Sequence, residues 1–542
     1  MKKIIIVIFI LLISIPLLIR FLEVDNTKWD LTLIGNTENI EKPVFNIEEF
    51  IDKEYQYKYN LYIDSCLYPR GILTHIYSTI QYTLFNKSDK STGNNELGPI
   101  VQILGKNKNI FQTTCIKKHY ALEEQFDFSL NENQKKINNF TKLLEKTREK
   151  LKKCNKELYV YIAPGKDDFY ENDIPDKYKN LNRSVITSDL ALRHVIEKTD
   201  IPHRFFIDIK EELDYPAFYT TGIHWSRTYE QKASRIIIED LRNITKKKYR
   251  NLKLGEICSS EIPFWRDSDV HDLLNVFNSR NQMYYQYNSV REYPEEYDHI
   301  KLFLYGDSFS EGLVKDILDL YPSETIHTAF YNKIYRVRGQ DKFRFDGNWG
   351  LLDWQGIIDD IDVVVIGITD TNIPLYGEHV LENLCDFLDN YVPNNMANKD
   401  ENILKEINCL SKIPFDTKNT FGLYGREDGF CWSKPYARIN LTNDNITKYG
   451  LEIKYKIPSY LFDDNKKEEI YIYINGKRFM HSYFDFEQEV DCIISADELK
   501  KCYNGNDNYD IEIYSSNSFI PNASDNRELS LQFIYVGSAK IE

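Results

Sequence analysis

Residues 300–308 read IKLFLYGDS, a short apolar run that ends in glycine, aspartate and serine, and the amphipathic segment EGLVKDILDLY follows at 311–321. A continuous apolar run of this length is typical of a strand that is buried on both faces of a sheet. The two segments predict a β-strand followed directly by an α-helix, with Ser308 at the turn between them.

The same alternation of apolar runs and amphipathic segments occurs along much of the chain. Further strands are predicted in ELYVYIA at 157–163, RFFIDI at 204–209 and IDVVVIGIT at 361–369, and further helices in INNFTKLLEKTREKL at 137–151 and EQKASRIIIEDLRNI at 230–244. Strands that alternate with helices indicate an α/β domain, residues 99–378, in which helices cover a parallel sheet. In such sheets the functional groups gather at the carboxyl ends of the strands.

The sequence changes character after the α/β domain. From about residue 420 it consists of short alternating strands separated by turn residues, including the hairpin signal Asn475-Gly476. This pattern predicts an all-β sandwich, jelly-roll-like, over residues 420–542. A linker with a helix is expected at 379–419, and a helical preamble with a loop at 25–98.

The N-terminus carries an apolar segment that suggests export. Lys2 and Lys3 precede the run IIIVIFILLISIPLLI at residues 4–19. No small-x-small cleavage site follows the run, which favours an uncleaved membrane anchor over residues 1–24, with a cleaved signal peptide and a secreted protein as the alternative. The positive charges before the run predict that the N-terminus stays inside and that the rest of the chain lies in an extracytoplasmic space.

Composition excludes some classes of partner. The chain has 83 acidic and 68 basic residues, a net charge of −15, and such a surface repels nucleic acid phosphates, so no nucleic acid partner is expected. Its nine cysteines are scattered without any C-x-x-C or Cys/His cluster, which gives no support for a zinc site. We therefore expect neither a metal nor another cofactor.

Ser308 and His224 are the candidate catalytic pair. A sharp strand-to-helix turn exposes the hydroxyl of Ser308 and leaves backbone N–H groups, including that of Ser308 itself, free to hold an oxyanion. The alternative is that Asp307 and Ser308 only cap the following helix. His224, within FYTTGIHWS at 218–226, is the candidate base, although a histidine among apolar neighbours is often a packed core residue.

Several motifs occur in an order that carries a resemblance to a known family: ILGKNKNIF at 103–111, YVYIAPGKDDFYENDIP at 159–175, GIHWS at 222–226, GDSFS at 306–310 and DVVVIGITDTNI at 362–373. Together they resemble the SGNH-hydrolase-like domain of alginate O-acetyltransferases of the AlgJ and AlgX type. The resemblance covers most of residues 40–378.

The resemblance implies a function for the whole chain. It implies an O-acetyltransferase that acetylates hydroxyls of an exported polysaccharide, with Ser308 as the acyl-accepting nucleophile and His224 as the general base. It also implies that a multi-spanning membrane acyltransferase supplies the acetyl group. Two alternatives remain open, namely a carbohydrate esterase of the same fold and a catalytically inert protein that binds polysaccharide or helps to assemble it.

One position departs from the family's pattern. The family writes the histidine motif as D-x-H-W, and the carboxylate orients the imidazole, whereas this chain has Gly222 at that place. Asp214, upstream, is the first candidate to replace the carboxylate. A backbone carbonyl or the hydroxyl of Thr221 is the second, and a degenerate site is the third.

Further residues are candidates for binding. GITDTN ends a predicted strand, so Asp370 and Asn372 are expected either to line the pocket or only to cap the turn. The C-terminal domain resembles β-sandwich modules that are appended to bacterial polysaccharide enzymes. There Trp432 and Tyr436 would suit stacking on sugar faces, with sandwich core as the alternative.

Overall fold

The structure is a computed structural model of the 542-residue chain. It describes residues 42–66, 70–85, 91–95, 98–179, 186–277, 282–331, 334–337, 343–344, 349–375, 378–393, 407–408, 419–442, 444–465, 467–502, 508–522 and 524–539. Within these ranges no helix has the length and the apolar character that a membrane span requires. The anchor predicted at residues 1–24 lies outside them.

The described chain begins with helices and a small sheet. The helices are α1 (Ile47–Ile51), α2 (Glu54–Cys66) and α3 (Arg70–Leu84), and antiparallel strands follow as β1 (Ser91–Asn95), β2 (Gly98–Leu104) and β3 (Ile110–Gln112). The apolar segment at 99–105 therefore pairs within this separate sheet. Helix α4 (Thr113–His119) leads on to the α/β domain.

A largely parallel sheet forms the centre of the α/β domain. Its strands are β4 (Glu157–Ala163), β5 (His203–Phe205), β8 (Lys301–Gly306), β9 (Thr325–Phe330), β10 (Ile334–Val337), β11 (Phe343–Arg344) and β12 (Val363–Thr369), and a separate hairpin consists of β6 (Lys253–Ser260) and β7 (Tyr284–Val290). The strand order is β11-β10-β9-β8-β12-β4-β5, and β10 runs antiparallel to both of its neighbours while the other pairs are parallel. The predicted α/β domain with a parallel sheet is confirmed.

Helices cover both faces of this sheet, which explains why its strands are apolar throughout. The helices of the domain are α5 (Asn131–Lys153), α6 (Lys166–Phe169), α7 (Asp176–Lys179), α8 (Ser188–Ile196), α9 (Arg227–Thr245), α10 (Glu311–Leu320), α11 (Trp354–Asp360) and α12 (Glu378–Asp389). Helices α5, α8, α11 and α12 pack on one face, and α9 and α10 pack on the other. Only the RFFIDI segment is shorter than expected, because β5 ends at Phe205 and a 3₁₀ helix continues over Phe206–Glu212.

The C-terminal domain is antiparallel, as the alternating pattern predicts. Its strands are β13 (Ile407–Asn408), β14 (Thr420–Glu427), β15 (Phe430–Leu441), β16 (Leu451–Ile457), β17 (Glu468–Ile474), β18 (Lys477–Phe484), β19 (Gln488–Ile494), β20 (Tyr509–Ser515) and β21 (Gln532–Ser538), with helices α13 (Asp444–Tyr449) and α14 (Ala496–Lys501). They pair along the path β18-β17-β20-β15-β21-β16-β19, with β13 and β14 attached at its side. Strands from both ends of this path contribute residues to one apolar core, so the sheet is curved and encloses that core.

A buried arginine of the α/β domain contacts the C-terminal domain. Arg250 follows α9, and its Nη2 donates to Glu324 Oε1 over 2.9 Å while its Nη1 donates to the hydroxyl of Tyr514 on β20. The guanidinium has no solvent exposure and lies 3.8 Å from the ring centre of Tyr297. Because Glu324 directly precedes β9, the C-terminal domain packs at the amino ends of the parallel strands.

Candidate active site

The strand-to-helix turn at Ser308 is sharp because glycine precedes it. Strand β8 ends at Gly306, and a Cβ at that position would lie 2.4 Å from Ser310 Oγ and 2.6 Å from the carbonyl oxygen of Gly367. A 3₁₀ turn then covers Ser308–Ser310 and runs into α10. The half-buried side chain of Ser308 thus stands at the carboxyl end of the parallel sheet.

Asp307 stabilises the turn with hydrogen bonds to both oxygen atoms of its carboxylate. Its Oδ1 accepts the backbone N–H of Phe309 at 3.0 Å, which caps the 3₁₀ turn. Its Oδ2 accepts the N–H and the hydroxyl of Thr369 at 2.8 and 2.7 Å, and the amide of Asn372 at 2.9 Å. Asn372 therefore uses its amide to tie the end of β12 to the turn of Ser308.

His224 lies directly against Ser308. Its Nε2 is 2.7 Å from Ser308 Oγ, and its ring lies 4.7 Å from the ring of Phe309. The loop that carries His224 leads into α9, whose first turn is capped by the side chain of Ser226. The histidine is 8% exposed, so it is packed and in contact with the candidate nucleophile at the same time.

A carboxylate completes the arrangement, and it is neither of the candidates from the sequence. Asp269 Oδ2 lies 2.5 Å from His224 Nδ1, and its Oδ1 accepts the N–H of Ile223 at 3.1 Å. The expectation for Asp214 is corrected, because its side chain is 72% exposed and pairs with Lys232 at 3.0 Å. The sequence missed Asp269 because the loop of residues 261–275 carries other acids and no pattern that singles one out.

Thr221 is also not the partner of His224. Its hydroxyl accepts from the amide of Gln282 at 2.6 Å and lies 3.1 Å from the hydroxyl of Tyr284. The side chain of Thr221 therefore stabilises the turn before His224 from the side of β7, and the proposed role as an orienting hydroxyl is corrected.

The close approach of a neighbouring loop explains the glycine at position 222. A Cβ on Gly222 would lie 2.7 Å from the carbonyl oxygen of Asp267 and 3.3 Å from that of Arg266. The space that a side chain would need is occupied by the backbone of the loop that delivers Asp269. The glycine and the relocated carboxylate are therefore two consequences of the same packing.

Arg266, on that loop, is a further polar group beside the serine. Its Nη1 donates to the carbonyl oxygen of Ser308 at 2.9 Å and lies 3.3 Å from His224 Nε2, and its Nη2 pairs with Glu311. A guanidinium this close to the imidazole and to the Ser308 backbone places positive charge beside the candidate nucleophile, although Glu311 pairs with it.

The predicted oxyanion donor has a partner in this structure. The backbone N–H of Ser308 donates to the hydroxyl of Tyr331 at 2.9 Å. Burial of that hydroxyl, together with the charge of Asp307, raises the pKa of Tyr331 to about 12. The tyrosine is therefore a neutral hydroxyl that lies where an oxyanion would approach the N–H group.

Asp370 lies in a separate buried cluster, and its expected place in the pocket is corrected. Its Oδ2 is 2.7 Å from Lys118 Nζ and accepts the N–H of Gly165 at 3.1 Å, and burial raises the pKa of this carboxyl to about 7. The residue links the carboxyl ends of β12 and β4 beneath the surface.

The same cluster contains the group of metal-ligand side chains found in the described part of the chain, His119, Asp167 and Asp168. The ammonium of Lys118 lies 2.9 Å from Asp167 Oδ2 and 3.0 Å from Asp168 Oδ1. One positive charge thus already lies among these carboxylates, and a divalent cation at their oxygen atoms would meet it at close range. The geometry favours an ion-paired cluster over a metal centre.

Trp432 and Tyr436 are buried, which corrects their expected role in sugar stacking. Trp432 is 8% exposed and packs against Phe430 and Phe519. Tyr436 is 2% exposed, and its hydroxyl donates to Glu512 Oε1 at 2.5 Å. Their ring faces are occupied by protein, so neither offers a surface to a glycan.

Comparisons with known proteins return structures only. No protein-family model and no curated protein matches the chain. Among solved structures, the O-acetyltransferase domain of Pseudomonas putida AlgJ is similar with 12% identity and a TM-score of 0.32, over 53% of this chain and 98% of that one. Pseudomonas aeruginosa AlgX is similar with 11% identity and a TM-score of 0.35, over 81% of this chain and 93% of that one. Bacillus cereus PatB1 is similar with 10% identity and a TM-score of 0.31, over 52% of this chain and 98% of that one.

These matches include the AlgJ and AlgX type that the sequence motifs resemble. With TM-scores no higher than 0.35, they carry no argument about the chemistry of this chain. That chemistry follows from the site itself, in which a carboxylate, an imidazole and a hydroxyl are joined in sequence by short hydrogen bonds. Such an arrangement can activate a serine for acyl transfer.

Proposed function

We propose that this chain is an O-acyltransferase in which Ser308 carries an acetyl group to a hydroxyl of a polysaccharide. The observation that carries the proposal is the continuous contact from Asp269 through His224 to Ser308, with distances of 2.5 and 2.7 Å. Acetyl as the acyl group and a polysaccharide as the acceptor rest on the resemblance of the sequence motifs to the alginate O-acetyltransferases.

In the first half-reaction Ser308 is acylated. His224 Nε2 takes the proton of Ser308 Oγ while that oxygen bonds to the carbonyl carbon of the donor, and Asp269 stabilises the imidazolium that forms. The tetrahedral oxyanion accepts the Ser308 N–H in place of the Tyr331 hydroxyl, with Arg266 as nearby positive charge. The intermediate then collapses, and the leaving group departs with the proton from His224.

In the second half-reaction the acetyl group moves to the acceptor. A sugar hydroxyl loses its proton to His224 Nε2 as its oxygen bonds to the acetyl carbon, and Ser308 Oγ leaves and recovers that proton. If water replaced the sugar hydroxyl, the same residues would perform ester hydrolysis. The identity of the acceptor therefore separates a transferase from an esterase.

Exposed aromatic side chains beside the serine support a sugar as the acceptor. Trp265 is 48% exposed, and Tyr331 is 41% exposed. Both have positive φ, 46° and 53°, which bulky residues rarely adopt and which is often retained at functional sites. Lys315 Nζ of α10 and the guanidinium of Arg266 lie 5.2 and 5.6 Å from the Trp265 ring centre, so the indole lies beside the helix that follows the turn of Ser308. Flat exposed rings of this kind suit stacking on sugar faces.

The location of the protein is inferred from the N-terminal sequence, and the source of its acetyl groups is inferred from the resemblance alone. The apolar run at 4–19 and the charges before it support an extracytoplasmic site, anchored or secreted. Acetyl-coenzyme A is a cytoplasmic acetyl donor, so an extracytoplasmic enzyme needs acetyl groups that are transferred across the membrane. The resemblance assigns that step to a multi-spanning membrane acyltransferase.

The experiment offers a donor and two acceptors to the full chain. A chromogenic acetyl ester is incubated with the protein and with either alginate oligomers or neutral cello-oligosaccharides, while acetate release and oligomer mass are followed. Acetylated oligomer with wild type, absent with Ser308→Ala, supports the transferase. Acetate alone supports the esterase. Oligomer binding without acetate or acetylated product, in wild type and variant alike, would remove the catalytic proposal in favour of a binding protein.

A further inference from the structure

A fully enclosed lysine lies beneath the turn that carries His224. Lys166 follows Pro164 and Gly165 after β4, and it is 2% exposed. Its Nζ donates to the carbonyl oxygens of Tyr219 at 2.6 Å and Gly222 at 2.9 Å, and to that of Thr220 at 3.2 Å. An ammonium has three N–H donors, and each of them has a backbone acceptor here.

The carbonyl groups that Lys166 binds belong to the segment directly before His224. The backbone of this segment is also held on its far side, where the N–H of Ile223 donates to Asp269. A shift of residues 219–222 would therefore move the imidazole relative to both Asp269 and Ser308. Displacements of about 1 Å in such sites lower reaction rates by roughly a hundredfold.

We propose that Lys166 is a positioning residue for His224. Its buried ammonium donates hydrogen bonds to the carbonyl oxygens of Tyr219, Thr220 and Gly222, and these bonds hold the turn that places the imidazole against Ser308. The proposal rests on the proposed function in that Ser308 is taken as the nucleophile. It assigns a role to Lys166 of the PGKDD motif at residues 164–168, which has no part in the two half-reactions proposed above.

The charge on Lys166 makes this support sensitive to pH. Burial lowers the pKa of Lys166 to about 7, while the charges of Asp269 and Asp173 act in the opposite direction. The ring of Phe111 lies 5.6 Å from the ammonium. Above this pH the side chain loses its charge and one of its three N–H donors, so one carbonyl loses its partner and the turn is held less firmly.

The test measures how fast Ser308 is sulfonylated by phenylmethanesulfonyl fluoride in the full chain, with intact mass and peptide mapping as readouts. This reaction requires the activated serine but neither donor nor acceptor of the proposed transfer. We expect Lys166→Met to slow labelling at least tenfold and Lys166→Arg, which keeps a cationic donor, to recover part of the rate.

The matched control is Lys156→Met. Lys156 also donates from its Nζ to a backbone carbonyl, that of Ile361, but it lies just before the amino end of β4, remote from His224. Its labelling rate should stay within about twofold of wild type. Circular dichroism and thermal unfolding of each variant show whether it is folded at the assay temperature, and rates are compared only well below the unfolding midpoints.

A pH profile separates positioning from general stability. Wild-type labelling should fall as the pH rises above the pKa of Lys166, whereas Lys166→Arg should keep its rate because arginine stays charged. Labelling of Lys166→Met within twofold of wild type, or equal slowing in Lys156→Met, overturns the proposal. If wild type is labelled but transfers no acetyl group, only the proposed function fails. An unlabelled wild-type serine removes both.

Discussion

Gly222 and Asp267 meet at the backbone, where a Cβ on the glycine would lie 2.7 Å from the carbonyl oxygen of the aspartate. This contact brings the loop of residues 261–275 alongside the turn of His224. Two residues further along that loop, Asp269 reaches His224 Nδ1. The D-x-H-W motif has its aspartate at the position of Gly222. In this chain the loop that supplies Asp269 occupies the space that a side chain at position 222 would need.

Introducing the aspartate of the family motif should therefore damage this site. Gly222→Asp forces the Asp267 backbone away, and we expect a loss of about 1–3 kcal/mol in the free energy of unfolding, as for other overpacked sites. Labelling of Ser308 should fall as well, because the same loop holds Asp269. Urea unfolding measures the first effect, and sulfonyl fluoride labelling measures the second. Gly425→Asp is the control, since no atom lies within 4 Å of its added Cβ. A gain in labelling with Gly222→Asp would contradict the packing argument.

Asp269 should be the acid that acts through His224. Loss of the corresponding charge in a catalytic triad lowers the rate by up to about four powers of ten, so we expect Asp269→Asn to lower acyl transfer by about 10²–10⁴-fold. Its thermal stability should change little in comparison. Asp214→Asn serves as the control, because that exposed side chain pairs only with Lys232 and should leave the rate unchanged. The acid is misassigned if the two variants are equally active.

Trp265 should contribute to acceptor binding more than to acylation. Pairs of aromatic rings contribute about 0.5–1.5 kcal/mol, and a contact of that size between Trp265 and a sugar would make Trp265→Ala raise the KM for acceptor oligomers by about 2–10-fold. Labelling of Ser308 should stay close to wild type. Ile262→Ala removes another exposed apolar side chain, 75% exposed on the same loop, and should change neither quantity. Equal loss of labelling and acceptor use in Trp265→Ala would indicate that the residue supports the loop instead.

The sequence was sufficient to predict the sheet and the place of Ser308 at its edge for a physical reason, whereas the pairing of His224 with Ser308 was an expectation from the resemblance of the motifs. Buried parallel strands are apolar throughout, and their carboxyl ends fall at one edge, so Ser308 after β8 is expected at that edge. His224 precedes an amphipathic helix that packs on the sheet. In contrast, Asp269 lies in an irregular loop that also holds Asp267 and Asp272, and the path of such a loop is set by long-range contacts.

The buried aromatic residues of the β domain show a second limit. Alternation along a strand tells which residues share a face, but not what covers that face. The face of β15 with Tyr436 packs together with Tyr514, Tyr473 and Tyr297, and the last of these belongs to the other domain. Tyr436, which the sequence made a candidate for glycan stacking, is therefore part of the junction between domains.

Asp267 should make stability depend on pH. Burial raises the pKa of this carboxyl to about 8, although its Oδ1 accepts the N–H of Arg227 at 2.7 Å. A folded-state pKa above the unfolded value of about 4 favours the folded chain at low pH, and this stability is lost as the pH rises through about 8. Asp267→Asn cannot ionise, so its free energy of unfolding should decline less than that of wild type between about pH 5 and pH 8. Urea unfolding across this range measures both slopes, and Asp214→Asn should follow wild type. Parallel curves for wild type and Asp267→Asn would show that the carboxyl titrates normally.

Arg250 should determine whether the domains stay together, because it pairs with Glu324 of its own domain and also contacts Tyr514 and, at 3.9 Å, Glu512 of the C-terminal domain. Removing one partner of a buried pair leaves an uncompensated charge, so Arg250→Met should lower the free energy of unfolding by about 3–5 kcal/mol. Arg235→Met is the control, because Arg235 pairs with Glu239 at 3.2 Å with both side chains about half exposed, and such a pair contributes at most about 1 kcal/mol. Because Glu324 lies at the amino ends of the strands and Ser308 at the carboxyl end, Ser308 labelling in Arg250→Met should persist wherever the α/β domain remains folded. Calorimetry should then resolve separate transitions for the two domains in Arg250→Met. A single transition at the wild-type temperature would show that the other contacts across the junction hold the domains together without Arg250.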